Sequence, residues 1–117
     1  DWFPTLCNAA RVKIPKKLDG SDLTPALTKK SFERSKPMIW EFHGYGGQLA
    51  VIDFPWKSVR QKAKSKKPGK WQLYNIQKDP AEGNDLAKQH PEIVNRLERA
   101  FEKDRSPNAR AKLPLYD

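Results

Sequence analysis

The stretch "WQLYNIQKDPAEGNDLAKQHPEI", Trp71 to Ile93, decides the fold. Its first residues alternate: Trp71, Leu73 and Asn75 point one way, Gln72, Tyr74 and Ile76 the other. Large apolar groups stand on both sides, which suits a strand covered on both faces better than one with a wet face. Asp79-Pro80 ends the run with a turn, a polar loop follows, and His90-Pro91 opens a helix, proline being well suited to a first helical turn. Ile93, Val94, Leu97, Ala100 and Phe101 then recur at helical spacing, with Glu92, Asn95, Arg96, Arg99 and Lys103 opposite.

Upstream of Trp71 the period is again that of strands. "PMIWEFHG" and "QLAVIDF" are β-rich runs joined by "HGYGGQ", in which Gly44, Gly46 and Gly47 are expected to supply positive φ for a hairpin loop. "WKSVRQKA" is a third run, and "KSKKPGK" links it to the fourth. Short connections favour antiparallel pairing. The predicted class is α+β: a small four-stranded antiparallel sheet with one C-terminal amphipathic helix packed on it. An N-terminal helix and an extended connection precede the sheet. The helix is read over Asp1 to Val12, with Asp1 as cap, Pro4 in the first turn, and Phe3, Leu6, Cys7 and Ala10 on one face. Pro15, Gly20 and Pro25 break the connection, where Leu18, Leu23 and Leu27 read as apolar pegs. The closing "SPNARAKLPLYD" reads as an extended tail.

The chain has 117 residues, 37% of them hydrophobic, enough for one modest core. No apolar run approaches the ~18 residues of a membrane span. The start lacks the basic and apolar regions of a signal peptide, and it lacks an initiator Met, so the chain reads as a piece of something longer. Cys7 is the one cysteine, which makes no internal disulfide and no cysteine-based metal site. A net charge of +9 and a pI near 9.8 predict affinity for polyanions: nucleic acid, an acidic membrane surface, or sulfated and carboxylated glycans.

Lys57, Arg60, Lys62, Lys64, Lys66, Lys67 and Lys70 form a basic run without an acid. It could grip a polyanion or simply keep a loop solvated. Lysine without interleaved arginine and aromatics reads bases poorly, so nucleic acid is not the expected partner. His43, Tyr45 and Gln48 lie on or beside the glycine loop, where side chains can project into a cleft. Together they would make a sugar-binding group. Asp79, Glu82 and Asp85 do not match a calcium loop and read as turn-capping carboxylates. Trp40, Trp56 and Trp71 are expected to pack the sheet. No Gly-rich phosphate loop, Gly-x-Ser-x-Gly or His-Glu-x-x-His is present. The residues alone therefore describe a basic α+β module with no visible catalytic group.

A resemblance carries the reading further. Trp71, Leu73, Tyr74, Asn75, Ile76, Asp79, Pro80, Glu82, Asp85, Leu86, Ala87 and Pro91 match in order the C-terminal segment of formylglycine-dependent sulfatases of the arylsulfatase type. "DWFPTLCNAARVKIPKKLDGSDLTPAL" resembles the family's Asp-x-x-Pro-Thr-Leu helix and the Asp-Gly-x-Ser/Asp-Leu-x-Pro-x-Leu that follows it. "LAVIDFPWKSVRQ" resembles the family's strand, turn and Trp-Lys. Two departures stand out: Arg11 replaces a usual glycine, and Ile52-Asp53-Phe54-Pro55 replaces a usual Arg-x-Gly-Asp.

The resemblance implies that residues 1–36 are the last helix and linker of a large α/β domain, and that 37–117 are a C-terminal subdomain. It implies a parent that hydrolyses sulfate esters of a sulfated glycan or an aryl sulfate, using formylglycine and calcium. The formylglycine motif, Cys/Ser-x-Pro-x-Arg, is missing: Asn8, Ala9, Ala10 and Arg11 follow Cys7. This chain alone is thus expected to be inactive and to hold no metal or cofactor. Its partners would be the remaining N-terminal sulfatase domain and an anionic sulfated substrate, met through His43, Tyr45 and Gln48. Family members are commonly periplasmic, secreted or lysosomal. The alternative is a free-standing basic module that binds sulfated polysaccharide or nucleic acid, and a third option is a purely structural subdomain.

Overall fold

The alternation in the sequence becomes a sheet in a computed structural model that describes all of residues 1–117. The elements are α1 (Trp2–Ala9), α2 (Thr24–Leu27), β1 (Met38–Phe42), β2 (Gln48–Asp53), β3 (Trp56–Gln61), β4 (Trp71–Asn75) and α3 (Pro91–Asp104). They divide into two compact units, Asp1–Lys36 and Pro37–Asp117.

In the second unit the four strands pair antiparallel in the order β1-β2-β3-β4. The register puts Ile39, Val51, Ser58 and Leu73 in one row and Glu41, Leu49, Arg60 and Trp71 in another, both on the same face. Leu49, Val51 and Leu73 are buried there against Leu97 and Phe101 of α3, all at 0–1% exposure. Each such side chain contributes roughly 1.5–3 kcal/mol of burial. Ser58 is buried in the same layer, and its hydroxyl donates to the Gln72 carbonyl at 2.9 Å, so its polar atom is satisfied. Leu97 and Phe101 stand four residues apart, on one helical stripe, which is why the helix packs where the periodicity placed it.

β4 would be an edge strand, but the following loop closes it. The Leu73 amide donates to Asp85 Oδ1 at 3.0 Å, and the Leu86 amide to the Leu73 carbonyl at 2.8 Å. That pairing satisfies the outward amide and carbonyl of Leu73 at the middle of the strand, where an open edge would be hazardous. The free edge is β1.

The opposite face carries Met38, Trp40, Phe42, Ala50, Ile52 and Val59. Trp40 and Phe42 are 48% and 54% exposed there. Trp71 is buried in the core and Trp56 packs against it, but Trp40 does not pack the sheet as the sequence suggested. Aromatic content in a strand does not reveal which face a helix will cover.

The segment after α3 is not a free tail. Leu113 is buried at 1% exposure and Tyr116 packs edge-on to Phe101, with ring centroids 5.1 Å apart. Arg105 anchors the segment with a side chain only 4% exposed. Its guanidinium donates to Asp117 at 2.6 and 3.2 Å and to Glu41 at 2.7 Å, and it lies 5.8 Å from the ring centres of both Phe101 and Tyr116. A second arginine, Arg60, donates to Glu98 and to the Tyr116 hydroxyl.

In the first unit α1 ends earlier than the expected Val12, because Arg11 turns into the left-handed region with φ 56°. That conformation favours the glycine that the resemblance associates with this position. Asp1 does not cap the helix with its carboxylate. The carboxylate instead accepts from the Ser21 amide and pairs with Arg34. The buried residues of α1 are Pro4 and Thr5, whereas Phe3 and Leu6 are 58% and 61% exposed. The connection holds one short helix, α2, on which Leu27 is exposed.

Candidate functional site

The β1–β2 loop, which carries the expected sugar-binding group, is built by local chemistry. Gly46 and Gly47 have φ of 83° and 86°, and between Gly44 and Gly46 a third left-handed residue is Tyr45, with φ 48°. Gly44 does not supply positive φ. Its hydrogen matters because an added Cβ would sit 2.8 Å from the Phe42 ring.

Gly47 is needed twice over. A Cβ there would come within 3.0 Å of Lys64, because the β3–β4 loop crosses close by. The Ala63 amide donates to the Gly47 carbonyl at 3.0 Å, and the Lys64 amide to the Gly46 carbonyl at 2.9 Å. The two loops are therefore stitched together at one end of the sheet. Lys62, in the second loop, is also left-handed, with φ 56°. Two non-glycine residues in this region within adjoining loops store strain of roughly 1–2 kcal/mol each.

The three expected residues do not converge on one point. Tyr45 sits at the loop tip, 88% exposed, with its ring centroid 6.2 Å from that of Phe42. Gln48 opens β2 directly across from Phe42 and is exposed on the open face. His43 turns away from that face. Its Nε2 lies 3.5 Å from Glu41 Oε2, on the side of the sheet where α3 packs. His43 Nδ1 is buried and without a partner. Glu41 thus touches both His43 and Arg105, which links the glycine loop to the C-terminal segment. Sequence inspection missed Glu41, since its link to Arg105 spans 64 residues.

Lys62, Lys64, Lys66, Lys67 and Lys70 are all exposed, and none pairs with an acid. Lys57, from the same basic run, is different: it pairs with Glu82 at 2.5 Å.

At the other end of the sheet a cleft of about 570 Å³ is lined by Trp56, Asn75, Asn84, Asp85, Gln89 and His90, among others. Its carboxylates are committed to the chain. Asp79 accepts from the Asn84 amide at 2.8 Å, and backbone donors at Asn84 and Gly83 hold it below the usual carboxylate range. Asp85 accepts from the Leu73 and Ala87 amides. Tyr74 is pushed above its ordinary value by burial and, secondarily, by Asp85. A calcium ion needs several free oxygens converging on one point. No group of three or more His, Cys, Asp or Glu side chains gathers anywhere in the chain, so these residues do not fit the calcium that the resemblance implies. No helix is long and apolar enough to cross a membrane.

Comparison with known proteins agrees across the chain. The family profile described as "N-sulphoglucosamine sulphohydrolase, C-terminal" matches residues 1–107. Arylsulfatase K of Xenopus laevis is 32% identical over 111 residues, covering 85% of this chain and 20% of that protein. This chain thus spans about a fifth of the length of that curated relative. Among solved structures, Ps i-CgsB in complex with k-i-k-neocarrahexaose superposes with a TM-score of 0.73 at 26% identity, over 87% of this chain and 22% of that one. A protein in complex with its substrate D-glucosamine-2-N,6-O-disulfate superposes with a TM-score of 0.66 at 22% identity, a likeness of fold, over 92% of this chain and 24% of that one.

Proposed function

We propose a function from one premise: this chain belongs to the N-sulphoglucosamine sulphohydrolase C-terminal family. It is the C-terminal subdomain of a sulfatase whose reaction centre lies in an upstream region, and the parent protein hydrolyses sulfate esters of a sulfated sugar. The observation that carries this reading is the family match over residues 1–107 in a chain that spans a fifth of its curated relative. The solved structure at 26% identity whose name includes k-i-k-neocarrahexaose supports a sugar as the carrier of sulfate.

The subdomain has two jobs in this reading. Its open sheet face, with Trp40 and Phe42 half exposed, docks on the upstream domain. Its β1–β2 loop walls the substrate cleft. There Tyr45 offers a ring face and a hydroxyl to the sugar, Gln48 offers an amide, and His43 backs the loop from the other side, beside Glu41. Formylglycine and calcium in the upstream region would supply the nucleophile and the charge that polarises the sulfate, and the residues of this chain would bind and position the sugar.

The test is made on the protein as its host produces it. The expected result is an intact mass several-fold above 13.5 kDa, an upstream peptide carrying formylglycine, and sulfate release from a sulfated sugar. In that parent Tyr45→Ala should lower kcat/KM several-fold. A parent of this mass that releases no sulfate from any sugar or aryl ester would overturn the proposal.

A further inference from the structure

The lysines of the β3–β4 loop have no role in the site just described. The bland account is that they keep a mobile loop in solution. Three features argue against it. The loop is ordered by its own hydrogen bonds: Gly69 amide to Gln61 carbonyl at 3.0 Å, Ser65 amide to Lys62 carbonyl at 3.0 Å, and Lys67 amide to Ser65 Oγ at 3.2 Å. It is stitched to the glycine loop through the Ala63 and Lys64 amides, so its backbone is held against the Gly46-Gly47 turn that follows Tyr45. And its charge is uncompensated. Lys62, Lys64, Lys66, Lys67 and Lys70 crowd into one loop between β3 and β4, and none of them meets a carboxylate. Such a set of ammonium groups on a fixed backbone is complementary to a chain of regularly spaced anionic groups.

We propose that Lys62, Lys64, Lys66 and Lys67 form an exosite for a polyanionic glycan chain, holding the sugars that lie beyond the residue bound at Tyr45. This deepens the reading above and rests on it: the substrate is a polymer carrying several sulfates, not a single sulfated sugar. Ammonium ions meet sulfates as point charges without the fork geometry of arginine, so the exosite recognises charge spacing along a chain rather than one defined sugar. Binding should release counterions and weaken steeply with salt.

The experiment compares two charge-matched variants of the chain. One carries Lys62→Gln, Lys64→Gln, Lys66→Gln and Lys67→Gln. The other carries Lys88→Gln, Arg99→Gln, Lys103→Gln and Lys112→Gln, removing the same charge elsewhere. The probes are a heparin octasaccharide, its desulfated counterpart and a DNA duplex of equal charge. The expected result is that the loop variant binds the sulfated octasaccharide at least about tenfold more weakly, with a salt slope reduced by roughly 0.7 for each contacting lysine removed. The control variant should keep most of its affinity, and the duplex should bind less tightly than the octasaccharide. Equal losses in the two variants would overturn the proposal, because net charge alone would then explain binding. Equal affinity for duplex and glycan would overturn it too.

A second arm separates this inference from the one it rests on. In the full-length parent the loop variant should lose kcat/KM on a sulfated oligosaccharide and keep it on a sulfated monosaccharide. Unchanged turnover of both refutes the exosite and leaves the sulfatase reading standing. No turnover of either by the unmodified parent refutes the sulfatase reading, and the binding comparison still decides the exosite.

Discussion

Replacing Arg105 by methionine tests the least expected feature of the fold. Methionine keeps most of the stem that lies over Phe101 and Tyr116 and removes only the charge and its donors. The guanidinium makes three hydrogen bonds, at 2.6, 2.7 and 3.2 Å, to two carboxylates. Removing one partner of a well-buried ion pair costs roughly 3–5 kcal/mol, because the other is left uncompensated. Here the carboxylates keep some access to water, at 17% exposure for Glu41 and 9% for Asp117, so the lower figure, about 3 kcal/mol, is the one to use. That is a large share of the ~5–15 kcal/mol that a domain possesses.

The assay is urea unfolding followed by far-UV circular dichroism. With a slope of about 1.5 kcal/mol/M, the midpoint should fall by about 2 M. Acid supplies a second readout. Asp117 is held below its usual value, first by the Arg105 hydrogen bond and then by the Leu113 amide. A carboxylate with a lowered folded-state pKa adds stability above its unfolded value of 3.8 and loses it as pH falls through the folded value. The gap between wild type and Arg105→Met should therefore be constant down to about pH 4 and close below it. A midpoint shift under about 0.5 M, with no change in the acid limb, would refute the reasoning. It would mean that the last segment is a loose tail and that its contacts with Arg105 add nothing net.

Three further outcomes are expected. Leu113→Ala should cost roughly 2–4 kcal/mol by the same urea assay, a core-sized loss from a stretch that reads as surface tail. Gly47→Ala should cost about 1–2 kcal/mol, since alanine would have to hold φ 86° with its Cβ against Lys64; hydrogen exchange should show the Ala63 and Lys64 amides losing protection first. Asp79→Asn should flatten the acid limb of the stability curve below about pH 3.8, because Asp79 is also held low by the backbone donors at Asn84 and Gly83 that favour its charged form.

Local pattern determined much of this molecule. Alternation gave four strands, the helical spacing of Ile93 to Phe101 gave α3, and short connections gave the antiparallel order, because each depends on side-chain periods and turn chemistry that act within a few residues. The capping roles of Asp79 and Asp85 were equally legible, and so was the family, whose motifs lie in contiguous runs. Of the proposed site, the glycine-rich hairpin loop that carries His43, Tyr45 and Gln48 was legible in the sequence, but the directions of the three side chains were not. His43 lies beside Glu41, and Glu41 is held by Arg105 near the far end of the chain. The tertiary structure alone decided that α3 covers one face and leaves Trp40 and Phe42 open on the other, that the last segment folds back, and that the lysine loop lies against the glycine loop. These outcomes rest on contacts between residues distant in sequence, where a charged residue such as Arg105 can be buried once its partners arrive and an aromatic such as Trp40 can stay exposed for want of one.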